Sequence, residues 1–169
     1  MSISITVTGD ASKIGEAIKA LKSTKVLIGI PAERASRPGE GPNNAELMYI
    51  HTNGSPRLRI PARPVIEPAV EESMEQITTA MKAAAVAAIE GDMGEFEACM
   101  DDAGTYGENA VIQKFGDGLA PNAPITINGG WMRNRISGKP FKVEGKGSSA
   151  PLIDTGSLKG SITHVVEKG

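Results

Sequence analysis

From about Pro64 to Glu90 the residues Ile66, Val70, Met74, Ile77, Met81, Ala84 and Ala88 recur at spacings of three and four, while Glu67, Glu71, Glu72, Glu75 and Lys82 lie off that stripe. This is the pattern of an amphipathic helix with one buried side. At ~1.5 Å per residue such a helix is roughly 40 Å long, so the remaining elements have to be arranged along it. Gly91 ends it. Asp92 with Glu95 three residues on is a variant of the capping box. A second helix therefore starts at once and turns Phe96, Cys99, Met100, Ala103 and Ala110 inward, although Gly104 and Gly107 weaken its middle. A helical hairpin is the expected product.

The rest of the chain is far more broken. Gly and Pro make up 31 of 169 residues, about 18% where ~12% is usual, so much of it must be turns, loops or arms. Ile3, Ile5 and Val7 alternate with Ser4, Thr6 and Thr8, as in a strand with one buried face. Asp10 or Ser12 then caps a short helix whose stripe is Ile14, Ala17, Ile18 and Leu21. The apolar run from Lys25 to Ile30 reads as a central strand covered on both faces, completing a β-α-β start. Residues 31–43 hold three Pro or Gly breaks and read as a flexible loop. Asn43 or Asn44 caps a brief helix closed by Asn53-Gly54, and an extended Arg57-Leu-Arg-Ile-Pro-Ala-Arg-Pro64 leads into the long helix. After Phe115 come short β signals at 125–127, 141–143 and 161–166, separated by turns. The last should return to the N-terminal sheet, and about 117–150 should form a projecting arm. The expected fold is one α+β domain over 1–169: a small mixed or antiparallel sheet packed by a long helix and a helical hairpin, with an extended C-terminal β arm or long loop.

Composition excludes several kinds of chemistry. Six aromatic residues are too few for a base-stacking platform. Cys99 is the only cysteine, so no internal disulfide exists. No secretory leader is expected, because the sequence opens Met-Ser-Ile-Ser-Ile-Thr-Val-Thr, and no apolar run approaches the ~20 residues that span a bilayer. Leu152-Ile-Asp-Thr-Gly-Ser157 looks like the turn that presents an aspartic-protease carboxylate. That fold needs several further strands, and only 15 residues follow Asp154. We read Asp154 and Thr155 as folding a turn about Gly156 that caps a short helical turn, Ser157 to Gly160. His51 and His164 are the only histidines, with no metal-ligand spacing, and no nucleophile elbow or phosphate loop is present. The expectation is a non-enzyme without metal or cofactor.

Charge is segregated although the total is only −2. Seven acids, Glu90, Asp92, Glu95, Glu97, Asp101, Asp102 and Glu108, occupy 90–108 without a base, whereas Arg133, Arg135, Lys139, Lys142 and Lys146 face Glu144 alone over 133–146. Arg57, Arg59 and Arg63 form a third group. Solvated faces are the ordinary reading. The sharper one is head-to-tail self-association, with the basic arm of one subunit against the acidic helix of the next and Trp131 as its anchor. Arg57, Arg59, Arg63, Trp131, Arg133, Arg135, Lys139, Glu95, Asp101 and Asp102 are the candidate interface residues.

Two stretches carry a resemblance: Ile60-Pro-Ala-Arg-Pro64 running into a long helix, and Pro151-Leu-Ile-Asp-Thr-Gly-Ser-Leu-Lys-Gly-Ser-Ile-Thr163 ending in a strand. With the helical hairpin, the Pro-rich link and the basic stretch between them, residues 25–169 resemble the neck and tail-completion proteins of tailed bacteriophages, the head-tail joining or virion-morphogenesis group. The resemblance implies a structural protein of the virion, made in the host cytoplasm, whose copies form a hexameric ring between portal-side connector and tail and let double-stranded DNA pass. Its partners would be itself, portal or connector proteins and tail-tube or tail-terminator proteins, with no membrane. By the same resemblance Ile60, Pro61, Arg63 and Pro64 orient the long helix, and Asp154, Thr155, Gly156 and Leu158 set the last strand. Val65 stands where an aromatic is often found. A tail terminator, a portal adaptor and, outside viruses, a protein-binding regulatory module stay open as alternatives.

Overall fold

The computed structural model describes residues 11–38, 41–58, 60–115, 118–134, 137–152 and 156–169. They form seven α-helices: α1 (Ala11–Ser23), α2 (Asn44–Asn53), α3 (Ile66–Glu72), α4 (Met74–Glu90), α5 (Met93–Lys114), α6 (Pro124–Asn128) and α7 (Ser157–Gly160). The strands are β1 (Thr24–Gly29), β2 (Gly130–Arg133), β3 (Pro140–Val143) and β4 (Thr163–Lys168). β1 pairs with β4 and β2 with β3 in two small antiparallel sheets. The fold is α+β with a helical hairpin of α4 and α5. The strand expected at 3–7 and the capping Asp10 lie outside the described residues, as do Arg59, Arg135, Asp154 and Thr155. The described residues pack as two compact units, the first from 11–28, 73–107 and 164–169 and the second from 29–72 and 108–163.

The long helix expected over 64–90 is two helices. Ser73 leaves the helical well at φ −96° and ψ 6°, and serine hydroxyls compete for the backbone hydrogen bonds that would continue a helix. The break coincides with the boundary between the units. The longest described helix is instead α5, with 22 residues. Its two glycines are sites of close packing: a Cβ at Gly104 would overlap the His164 ring, and one at Gly107 would overlap the Ile28 side chain.

The first unit packs α1 on α4 through small residues. Ala17, Ala84, Ala87 and Ala88 are buried together with Phe96, Cys99 and Met100, and Ala20, Leu21, Val26 and Val166 close the cluster. Alanines on both helices let the backbones approach, and the side chains of Phe96 and Met100 fill the space that is left. Hence the buried line of α4 is Ile77, Ala80, Ala84, Ala87 and Ala88, while Met74 and Met81, expected inside, are half exposed. Ile14 and Ile18 of α1 are half exposed for the same reason. β1 is not covered on both faces, since Leu27 is also half exposed. α4 ends at Gly91 in the left-handed conformation, and Asp92 Oδ1 accepts the Glu95 amide at 3.0 Å to open α5.

In the second unit Asn43 and Glu46 form a reciprocal capping box at the start of α2. The loop at 31–43 contains a 3₁₀ turn at Ala32–Arg34, and its buried Ala35 accepts the Asn44 amide at 2.9 Å. Ser55 and Ile60 exchange backbone hydrogen bonds across a short 3₁₀ turn, Pro56–Leu58. Pro61 and Pro64 are exposed and Val65 is fully buried at the entry to α3. Leu158 is buried in α7, which packs on α2, and Asn44 Nδ2 donates to Ser157 Oγ at 3.3 Å. Gly156 opens α7 with φ 77°. The strand expected at 125–127 is the helix α6, because Pro124 at its first position and an extended Ala123 before it set a helix start that outweighs the β-branched residues.

Candidate assembly surfaces

β2 and β3 form a hairpin whose register pairs Trp131 with Lys142, Met132 with Phe141 and Arg133 with Pro140. Opposed residues of an antiparallel pair share a face. One face therefore carries Trp131, Arg133, Pro140 and Lys142, and the other Met132 and Phe141. All six are exposed, Trp131 to 72%. Apolar side chains thus stand on both faces of a ribbon that has no third strand among the described residues.

At the hairpin's end Asn134 donates its amide to Lys139 O at 2.9 Å, and Asn134 Oδ1 accepts the Ser137 amide at 3.0 Å. Two glycines fix the other end. Gly129 has φ 74°, and a Cβ there would stand 2.7 Å from Gly145 N and 2.9 Å from Val143 O. A Cβ on Gly145 would stand 2.7 Å from both Gly129 N and Ile127 O. These backbones cross because α6 is tied to the chain after β3, with Lys146 N donating to Thr126 O and Gly147 N to Ile127 O. Asn122 Nδ2 adds bonds to Ser148 O and Ala150 O. Gly129→Ala should free the hairpin from α6 through strain of about 1–3 kcal/mol at an extended positive-φ backbone that only glycine adopts readily, plus the backbone clash. Amide exchange at Lys146 and Gly147 should then accelerate while exchange in α4 is unchanged.

The acids of α5 divide into two sets in the first unit. Asp101 Oδ1 lies 3.2 Å from His164 Nε2, and Glu97 Oε1 accepts from Lys168 Nζ at 2.6 Å, so both engage β4. Glu95 and Asp102, seven residues apart and thus on one side, are exposed and flank Cys99. Burial, then the hydrogen bond to Glu95 and the charges of Glu95 and Asp102, push the Cys99 thiol above its ordinary value. Such a thiol is the opposite of a reactive thiolate. In the second unit Thr163 Oγ1 donates to Glu108 Oε2 at 3.2 Å, and Lys114 Nζ to Glu72 Oε1.

Arg63 was expected at an interface, and it is only 6% exposed. Its Nε donates to Ala120 O at 2.6 Å and its Nη2 to Pro121 O at 2.9 Å, while its amide donates to His51 O. It is a tie inside the second unit: a planar fork of donors satisfies two adjacent carbonyls that a lysine would reach singly. Burial, and after it Arg63 and Lys146, hold the His51 imidazole below its ordinary pKa. Arg57 is exposed.

The structure thus brings Trp131, Arg133 and Lys139 together on the hairpin and adds Lys142, Met132 and Phe141 to them. Glu95, Asp101 and Asp102 share α5, with Asp101 turned to β4. Sequence periodicity missed a further exposed apolar group, Val86 (55%), Ile89 (58%) and Met93 (42%) around the α4–α5 turn. The available signal was that the last part of α4, residues 83–89, is apolar all round, more than one buried stripe requires. Among the described residues no cluster of His, Cys, Asp and Glu could hold a metal ion, and no helix is long and apolar enough to cross a membrane. The chain matches no family model, no curated protein and no solved structure.

Proposed function

We propose that this chain is structural material of a virion, a subunit that joins copies of itself into a ring, six-fold by the resemblance, at the neck of a tailed bacteriophage. There it connects the portal-side connector to the tail, lets DNA pass and performs no bond chemistry. The β2–β3 hairpin carries this reading. Two-stranded ribbons are marginal in water without a face to pack on, and this one holds Trp131, Met132, Phe141, Arg133 and Lys142 in solvent. A surface of that composition matches an interface core with its basic rim. Arg57 and Arg59 are the residues proposed to meet passing DNA, so Arg57→Glu with Arg59→Glu should leave the ring assembled.

Electron microscopy of the protein alone and mixed with tails lacking it tests the reading. Rings at the tail end, and restored joining to heads, are expected. A protein that stays a lone globule and leaves the tails unjoined contradicts it, as does turnover of any substrate that vanishes on altering one side chain.

A further inference from the structure

We infer that the β2–β3 hairpin of one copy docks on the α4–α5 turn of the next, with Val86, Ile89 and Met93 as its apolar seat and Glu90, Asp92 and Glu95 as its acidic rim. The inference rests on the self-assembly reading and specifies which two surfaces meet. Both are mixed in the same sense. The hairpin offers Trp131, Met132 and Phe141 among Arg133, Lys139 and Lys142, and the turn offers three half-exposed apolar side chains among three exposed acids.

Charge complementarity selects a second copy as the occupant. Five bases and one acid over 133–146 oppose seven acids and no base over 90–108. No ion pair among the described residues neutralises Arg133, Lys139 and Lys142 or Glu90, Asp92 and Glu95. Asp101 and Glu97, by contrast, are already engaged by His164 and Lys168. That moves the receiving surface from the middle of α5, where sequence alone puts it, to the turn at its start. Joining two different surfaces makes a heterologous contact, which closes into a ring when the rotation per subunit allows and otherwise grows into a filament. Opposite charges on the rims speed encounter and fix register, and the buried apolar anchors supply the affinity.

Disulfide trapping between two differently tagged copies, one carrying Lys142→Cys and the other Ile89→Cys, tests the contact, with Cys99 buried in both. The expected product is a mixed disulfide containing both tags, absent when either substitution is omitted. In parallel, Arg133→Glu with Lys142→Glu should weaken association by about tenfold or more, about 1.4 kcal/mol or above. Glu90→Lys with Glu95→Lys should do the same, and the four changes together should restore it. A disulfide that forms only within one chain carrying both cysteines overturns the inference, because the hairpin then seats on its own turn. Rings that form with undiminished affinity when the hairpin charges are reversed also overturn it and leave the ring reading standing. A wild-type chain that stays monomeric at millimolar concentration and joins no tail sinks both.

Discussion

Phe96→Ala should cost about 3–5 kcal/mol, the range for removing a buried phenylalanine, and should lower the stability of the first unit more than any other single truncation there. Phe96 is 1% exposed among Ala17, Ala84, Ala87 and Ala88. Alanines have no rotatable side chain with which to refill the void, so the site collapses poorly and the cost falls toward the top of the range. A native domain holds only ~5–15 kcal/mol in all. Urea unfolding followed by amide exchange in β1 and β4 checks this: exchange there should accelerate by orders of magnitude at low denaturant. A loss below about 1 kcal/mol would mean that the alanine-lined packing of α1 on α4 is not what holds the unit.

Arg63→Ala should be the most damaging change in the second unit, about 1.5–3 kcal/mol, because the buried guanidinium and its two charge-assisted bonds to the half-buried Ala120 O and the exposed Pro121 O are lost together. Arg63→Lys should recover less than half, since one ammonium cannot reproduce the forked contact. The same variant has a second signature. His51 has its pKa held below the ordinary 6.5 by burial first, by Arg63 second and by Lys146 third. A histidine with a depressed folded-state pKa is kept neutral by the fold, so the unfolded chain binds the extra proton first. Its stabilising contribution is complete above pH 6.5 and is lost as pH falls through the lowered folded value. The wild-type unit should therefore weaken as pH falls below 6.5. In Arg63→Ala that slope should be shallower, since one cause of the depression is gone, and in His51→Gln it should shrink further. A slope unchanged by either substitution would detach His51 from the acid sensitivity of the fold.

Local rules made part of this molecule legible and long-range contacts made the rest illegible. The cap at Asn43, one of the two asparagines the sequence offered, the left-handed Gly91 followed by Asp92 and the helical turn from Ser157 each depend on neighbours within four residues. They appear in the structure as the sequence implies. Val65, unusual for the resemblance, is fully buried and so occupies a core position. The break at Ser73 was hidden because periodicity continues through it. Gly104 and Gly107 read as helix weakeners until His164 and Ile28 supply the reason for a missing side chain. The same separation in sequence concealed the candidate surfaces. Asp101 finds His164 63 residues away and Arg63 finds Ala120 57 residues away, and neither spacing is a motif. Composition did expose the basic stretch with Trp131. It could not tell which of the acids on α5 were already engaged.

Sedimentation equilibrium of the full chain over a series of salt concentrations tests the claim that copies join through oppositely charged extensions. One closed oligomer at low salt is expected, its association weakening as added salt shortens the screening length from ~10 Å at 0.1 M to ~3 Å at 1 M, while the apolar anchors retain part of the affinity. A monomer at every salt concentration, or an oligomer indifferent both to salt and to reversal of Arg133 and Lys142, would contradict the account.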